Sequence, residues 1–188
     1  MAKQKKVDEA TTVVFEIPSG IKIEKVQRKG IFCVVNYEER IGDIHAKMKR
    51  DADQPVHADL EEQFLKLRPF IALICEQLNL VNYPPATIDY KADEFENYGV
   101  QGIEFINGDT SVVLHGWFKL TNGCKVSLST PLVEFYEKDF DADLMIELRA
   151  QIDEIKHEIG LYMGGKRAPK AQTEMEFENS AAAEENND

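Results

Sequence analysis

Residues 99–131 read GVQGIEFINGDTSVVLHGWFKLTNGCKVSLSTP, and the rest of the chain is placed against them. Two Asn-Gly pairs, Asn107-Gly108 and Asn122-Gly123, each lie between runs rich in β-branched and aromatic residues. Asn-Gly favours a tight hairpin because both central residues of the preferred turn need a positive φ. The pattern therefore predicts three antiparallel strands in a meander, with residues 131–136 continuing or ending the third strand.

Strands are also expected in the N-terminal third of the chain. Residues 13–17 form a short apolar run before a Pro-Ser-Gly turn signal, and residues 21–26 largely alternate apolar with polar. Residues 31–37 are almost continuously apolar, which predicts a central strand. Residues 38–56 are charged and lack a clear period, so we expect a loop there with a short edge strand near residues 41–48.

Two apolar stripes have helical spacing. Their residues recur every three or four positions, which places each stripe on one face of an α-helix. Pro69 should kink or split the first helix, and residues 86–90 are a further candidate strand. Asp139 or Asp141 is expected to cap the second helix, and Gly164-Gly165 to end it. The stripes are Leu60, Phe64, Leu67, Ile71, Ile74 and Leu78, then Leu144, Leu148, Ile152, Ile155, Ile159 and Met163.

The order of these elements predicts an α+β fold. Strands, a helix, a three-stranded meander and a second helix would form a mostly antiparallel sheet with two long amphipathic helices on one face. Residues 1–11 and 166–188 are expected to be disordered tails, the second one acidic, around a single α+β domain at residues 12–165. A homo-oligomer paired through edge strands is left open.

Composition limits the classes of function. The net charge of −12 argues against a protein that coats duplex DNA with its whole surface, and no apolar run is long enough for a membrane span. No secretory signal is recognised, so we expect a cytoplasmic protein. Cys33, Cys75 and Cys124 suit neither disulfides nor zinc, and the histidines lack metal-ligand spacing. Without a catalytic or phosphate-loop motif, we expect no enzyme activity, cofactor or metal.

A basic segment interrupts this acidic chain. Residues 20–50 carry eight basic residues against four acidic ones, with aromatic Phe32 and Tyr37 between them. Basic strands with aromatics that stack bases are typical of single-stranded nucleic-acid binding. The alternative is a solvated strand face in which lysine blocks aggregation. The candidate nucleic-acid-binding residues are Lys22, Lys25, Arg28, Lys29, Tyr37, Arg40, Lys47, Lys49 and Arg50, joined by Trp117 from the meander.

The position of Trp117 depends on which sheet face the helices cover. His115 and Trp117 share one face of the middle meander strand, and Leu114, Gly116 and Phe118 share the other. If the helices cover the Leu114 face, Trp117 points outward or toward a second layer, and both arrangements are left open.

The C-terminal tail carries a short motif. Gln172, Met175 and Phe177 are followed by acidic and alanine-rich residues. The spacing is similar to the peptide by which bacterial and phage proteins dock on the replicative sliding clamp. That resemblance implies that Gln172 bonds at a pocket rim while Met175 and Phe177 fill an apolar cleft. Met at the central position departs from the usual Leu, and the alternative is a tail that only aids solubility.

The layout of the whole chain resembles single-stranded DNA-binding proteins with an acidic C-terminal tail, and small phage proteins that accompany recombination and replication. This resemblance implies a non-enzymatic replication or recombination accessory protein of a phage or mobile element, which binds single-stranded DNA and recruits a partner such as a sliding clamp. The alternative is an acidic interaction module that mimics DNA and inhibits a host enzyme. That function would use Asp93, Glu94, Glu96, Asp139, Asp141 and Asp143.

Overall fold

The computed structural model describes residues 15–51, 54–107, 110–136 and 140–169. They form an α+β fold with a seven-stranded antiparallel sheet, as the sequence predicts. The strands are β1 (Ile21–Lys29), β2 (Phe32–Ile41), β3 (Ile44–Arg50), β4 (Tyr98–Ile106), β5 (Ser111–Lys119), β6 (Lys125–Ser129) and β7 (Val133–Glu134), and the helices are α1 (Ala58–Lys66), α2 (Arg68–Ile74) and α3 (Ala142–Met163).

Two antiparallel meanders are joined in the middle of this sheet. The spatial order is β3-β2-β1-β4-β5-β6, and β7 pairs with β5 beyond the end of β6. The junction between β1 and β4 is short, since it pairs only Lys25 with Glu104, Val26 with Ile103, and Gln27 with Gly102. Beyond Gln27 the two strands are no longer paired, and this leaves a gap in the sheet.

The predicted first long helix is two short helices. Pro69 cannot donate a helical hydrogen bond and its ring crowds the preceding turn, but it is tolerated in the first turn of a new helix. The chain therefore breaks at Leu67, and α2 starts at Arg68 with Pro69 in its first turn. The α2 helix ends at Ile74, earlier than the predicted end of the first long helix. The sheet is therefore covered by one long helix, α3, and two short ones, α1 and α2.

The second predicted helix has its expected ends. Asp141 caps α3 because its side chain accepts a hydrogen bond from the Leu144 backbone N–H at 3.0 Å. The helix runs for 22 residues and ends at Met163, before Gly164 and the left-handed Gly165. Its apolar stripe is buried as the spacing predicts: Leu144, Leu148, Ile152, Ile155, Ile159 and Met163.

The core lies between the helices and one face of the sheet. Val26, Val35, Ile103 and Leu114 are fully buried on the central strands, and α2 packs on β4 and β5. Each such side chain contributes roughly 1.5–3 kcal/mol by leaving water.

An ion-pair cluster joins α1 to α3 at the edge of this core. The Lys166 Nζ lies 2.5 Å from Asp59 on α1 and 2.8 Å from Glu158 on α3. The hydrogen bond from Lys166 lowers the pKa of Asp59. This cluster fixes the segment that follows α3 against both helices.

Two local predictions are wrong, and a third is right only in part. Residues 15–17 form no strand, because this segment packs on α3 where Gly160 leaves room for Ile17, while residues 13–14 lie outside the described residues. The edge strand expected near residues 41–48 forms as β3, but the surrounding loop is shorter than predicted, because β2 continues to Ile41 and pairs with all of β3. Residues 86–90 contain a turn of 3-10 helix rather than a strand, since two prolines precede it.

The β5–β6 hairpin turn needs fewer left-handed residues than expected. Asn107 has a φ of 53° in the β4–β5 connection, whose next two residues lie outside the described ranges. In the β5–β6 connection only Gly123 is left-handed, and Asn122 instead uses its side chain to accept from the Cys124 backbone N–H. Both hairpins form as predicted.

Candidate nucleic-acid interface

Strand alternation divides the sheet into two different faces. Val26, Val35 and Leu114 point toward the helices, so the residues on either side of them in each strand point the other way. We call this second surface the open face, because most of its side chains are exposed or half-buried. Its polar and aromatic residues, read from the strand register, are Lys22, Lys25, Gln27, Lys29, Asn36, Glu38, Arg40, His45, Lys47, Lys49, Glu104, His115, Trp117, Lys119, Lys125, Ser127 and Ser129.

Most of the predicted nucleic-acid-binding residues share the open face. Lysines of β1 and β3 and Arg40 of β2 lie on one half, and Trp117 lies on the other half. Lys119 and Lys125 add two cations that sequence reasoning missed, because they are distant from the basic segment in the chain. The sequence signal that could have found them is that both lysines alternate with apolar residues along β5 and β6, which places them on the polar face of those strands. The predicted residues on this face are Lys22, Lys25, Lys29, Arg40, Lys47, Lys49 and Trp117.

Three predicted residues lie on the helix side instead. The Arg28 Nη2 is 2.7 Å from Glu61 of α1, and its guanidinium lies over the Phe64 ring. The Arg50 Nη1 donates to the Met163 carbonyl at 2.7 Å, and Tyr37 packs against the core. A basic segment read along the chain cannot separate the faces, because consecutive strand residues alternate between them.

Some of the lysines on the open face are neutralised by nearby carboxylates. Lys25 pairs with Glu104 at 2.7 Å, and Lys47 pairs with Glu24 at 3.2 Å. Within the described part of the chain, Lys22 and Lys29 form no ion pair. The face therefore keeps a net positive charge along β1, near the middle of the sheet.

A polar chain crosses the middle of the open face. Glu104 receives a hydrogen bond from Lys25 and lies 3.3 Å from the His115 Nε2, whose Nδ1 is 3.1 Å from the Ser129 hydroxyl. The hydrogen bond from Lys25 lowers the pKa of Glu104, and His115 adds to the effect. Four neighbouring strands are thus linked, and one carboxylate stays charged at the centre of the basic face.

Trp117 is the aromatic platform of the open face. Its indole lies flat on the backbone of Gly99 in β4, where a Cβ would come within 2.4 Å of the ring. The Lys125 Nζ lies over the ring, 4.1 Å from its centroid. Gly99 therefore holds the ring against the sheet, and an ammonium group that can also reach a phosphate covers its outer side.

A cleft fills the gap where β1 and β4 separate. It has a volume of about 180 Å³ and lies between Arg28 of β1, Phe64 of α1, Arg68 of α2 and Trp117 of β5. Burial lowers the pKa of Arg68, and its Nε is buried without a hydrogen-bond partner among the described residues. Sequence reasoning could not find this site, because its walls come from five separate elements, including residues 99–101 of β4.

The described carboxylates that were named for the alternative function lie outside the strands of the open face. The exposed carboxylates named for the alternative function include Asp93, Glu94 and Glu96, in the loop before β4, and Asp141 and Asp143 at the start of α3. None of them is an ion-pair partner of the open-face lysines within the described ranges. Asp139 lies outside those ranges.

The predicted tail motif of Gln172, Met175 and Phe177 also lies outside the described residues. Across the ranges that are described, no group of three or more His, Cys, Asp or Glu side chains is arranged to hold a metal ion. In the same ranges, every helix is too short or too polar to cross a bilayer. No protein-family model, curated protein or solved structure matches this chain.

Proposed function

We propose that this chain is a non-enzymatic replication or recombination accessory protein that binds single-stranded DNA on the open face. One observation carries the proposal: in a chain of net charge −12, lysines gather on one sheet face beside a half-buried tryptophan. The binding of a polyanion explains why positive charge collects on this face of an acidic protein. A sheet face that only contacts solvent needs no such excess of positive charge.

The chemistry of the face fits a single strand better than a duplex. Lys22 and Lys29, which lack ion pairs among the described residues, would meet phosphates, and Trp117 would stack a base after Lys125 moves from its ring. A base with a free face is available only in a single strand, and such stacking contributes about 1–3 kcal/mol per base. Phosphate contacts make the binding weaken as salt rises.

The acidic tail completes the proposal. Gln172, Met175 and Phe177 would recruit a sliding clamp or another replication protein in a phage or mobile element, as their spacing resembles a clamp-binding peptide. Because the tail is covalently joined to the DNA-binding body, it raises the local concentration of that partner. The same carboxylates compete with DNA for the lysines, so removal of residues 171–188 leaves binding intact or tightens it.

A second function remains a candidate because of the acidic residues outside the open face. Asp93, Glu94 and Glu96 are exposed together and make no ion pair with the open-face lysines in the described ranges. A DNA mimic would present such carboxylates to the basic groove of a host enzyme.

Fluorescence anisotropy of labelled oligo-dT tests the first proposal. We expect binding at low salt that weakens at moderate salt, with equal or higher affinity for a chain without residues 171–188. The double variant Lys22→Glu, Lys29→Glu should lose binding, whereas Arg149→Glu, at an exposed position on α3, should not. If neither full-length nor truncated protein binds oligo-dT at low salt, the proposal fails and the acidic surface becomes the site to test.

A further inference from the structure

We propose that the cleft between β1 and β4 binds a single guanine base of the strand that lies on the open face. This inference rests on the proposed function and adds a base preference to it. The cleft opens where the β1–β4 pairing stops, directly beside Trp117. A strand that stacks one base on Trp117 therefore passes over the cleft, and the neighbouring base can turn into it.

Arg68 is the group in the cleft with unused hydrogen-bonding capacity. Its Nε–H is buried and finds no acceptor within the described ranges, which leaves a desolvated donor unsatisfied. Arg28, on the opposite wall, is already paired with Glu61 at 2.7 Å and lies over Phe64. A ligand in the cleft would therefore complete the hydrogen bonds of Arg68 rather than those of Arg28.

The geometry of a guanidinium selects the ligand. Arginine presents parallel N–H groups that match two adjacent acceptors. In a single strand the Watson–Crick edges are free as well, so guanine offers such a pair in its O6 and N7 and cytosine one in its O2 and N3, whereas adenine and thymine offer an acceptor beside a donor. The bicyclic guanine has the larger flat surface to place against the walls of the cleft, so we assign guanine. A volume of about 180 Å³ suits one base rather than a stacked pair, and Leu65, Val100 and Trp117 supply apolar walls for a flat ring.

A bare phosphate is the competing ligand, because it also carries adjacent acceptors. A phosphate has no flat apolar surface to place against the walls of the cleft, and the charge of Arg28 is already balanced by Glu61. The guanine base therefore uses more of the cleft than the phosphate does.

Trp117 is the only tryptophan of the chain, so its emission reports directly on the cleft. The intact protein is titrated with dGMP, dCMP, dAMP, dTMP and inorganic phosphate while this emission is recorded. In parallel, anisotropy compares oligo-dT of about 15 nucleotides, near the upper site size of single-strand-binding modules, with the same oligomer carrying one central dG. We expect dGMP to change the emission at the lowest concentration, and the dG oligomer to bind about tenfold more tightly.

Arg68→Lys is the test variant, since it keeps the positive charge and removes the fork. It should abolish the dG preference and leave oligo-dT affinity unchanged, while the control Arg149→Lys, at an exposed position on α3 away from the open face, keeps both. Thermal melts of each variant check that the fold is retained. If Arg68→Lys is unfolded, Gln101→Ala at the cleft rim replaces it, and a lowered dG preference is the expected result.

The outcomes separate this inference from the proposed function. If oligo-dT binds but neither dGMP nor the central dG has an advantage, the guanine site is refuted and the proposed function stands. If dGMP alone changes the emission and no oligomer binds, the guanine site stands and the proposed function fails. If phosphate acts as strongly as dGMP, the cleft is an anion site, and if nothing binds, both proposals are overturned.

Discussion

Glu104→Gln should convert the open face into a stronger single-strand binder. Glu104 is the carboxylate at the centre of this face, 2.7 Å from the Lys25 Nζ and 3.3 Å from the His115 Nε2. Glutamine keeps the shape and the hydrogen-bonding capacity of the side chain while removing its charge. Lys25 is then free to meet a phosphate, and a repulsive charge beside the strand is lost.

The size of the effect follows from the exposure of the pair. The side chains of Lys25 and Glu104 are 35% and 37% exposed, so their interaction belongs to the solvent-screened class worth about 0.2–1 kcal/mol. In Glu104→Gln, DNA does not have to displace Glu104 from Lys25 in order to bind. The affinity for single-stranded DNA should therefore rise about 1.5- to 5-fold. One additional phosphate contact steepens the salt slope by about 0.7 for a single strand, so a fourfold rise in salt costs the variant roughly 2.6-fold more affinity.

The measurement is anisotropy of labelled oligo-dT over a salt series, for the wild type, Glu104→Gln and a matched control. Glu154→Gln is that control, because it removes the same charge from an exposed position on α3, away from the open face. Screening over about 10 Å at 0.1 M salt should leave its affinity close to the wild-type value. Equal effects of the two variants, or weaker binding by Glu104→Gln, would refute the assignment of the open face as the DNA-binding surface.

Three further predictions concern the fold. Gly116→Ala places a Cβ 2.0 Å from a β4 backbone oxygen and should cost about 1–3 kcal/mol in chemical denaturation, so an unchanged midpoint would contradict this packing. Lys166→Met should lower stability at pH 7. The hydrogen bond from Lys166 lowers the pKa of Asp59, so its contribution to the free energy of unfolding is present above the usual aspartate pKa and is lost as pH falls through the lowered pKa. If the variant remained less stable than the wild type in acid, the ion pair would be contradicted. Burial raises the pKa of Cys33 to about 12, so a thiol reagent at pH 8 should label exposed Cys124 and spare Cys33 until unfolding, and equal labelling rates would contradict its burial.

Local patterns predicted the elements whose causes are local. The spacing from Leu144 to Met163, with Asp141 before it and Gly164 after it, predicted α3 with its buried face and both ends. The Asn-Gly pairs predicted both meander hairpins, and Pro69 predicted the break near Leu67. In each case the interacting groups lie within a few residues of one another.

Predictions that needed partners distant in the chain were wrong or incomplete. The edge strand β3 was expected to be mostly loop, because Lys47 and Lys49 give it little apolar character and it is stabilised by pairing with β2. Arg28 and Arg50 were grouped with the other basic residues, although acceptors on α1 and α3 hold them on the helix side.

By itself, the sequence determined the α+β class, the main helices and hairpins, and the presence of a basic segment in an acidic chain. These follow from periodicity, turn chemistry and charge, which act over short stretches. Only the tertiary structure decided which cations share the open face, how Trp117 lies on Gly99, and where the cleft forms. Those features depend on the registers of β1 with β4 and of β4 with β5, and strand register is set by pairing and packing across the sheet rather than by the nearest residues in the chain.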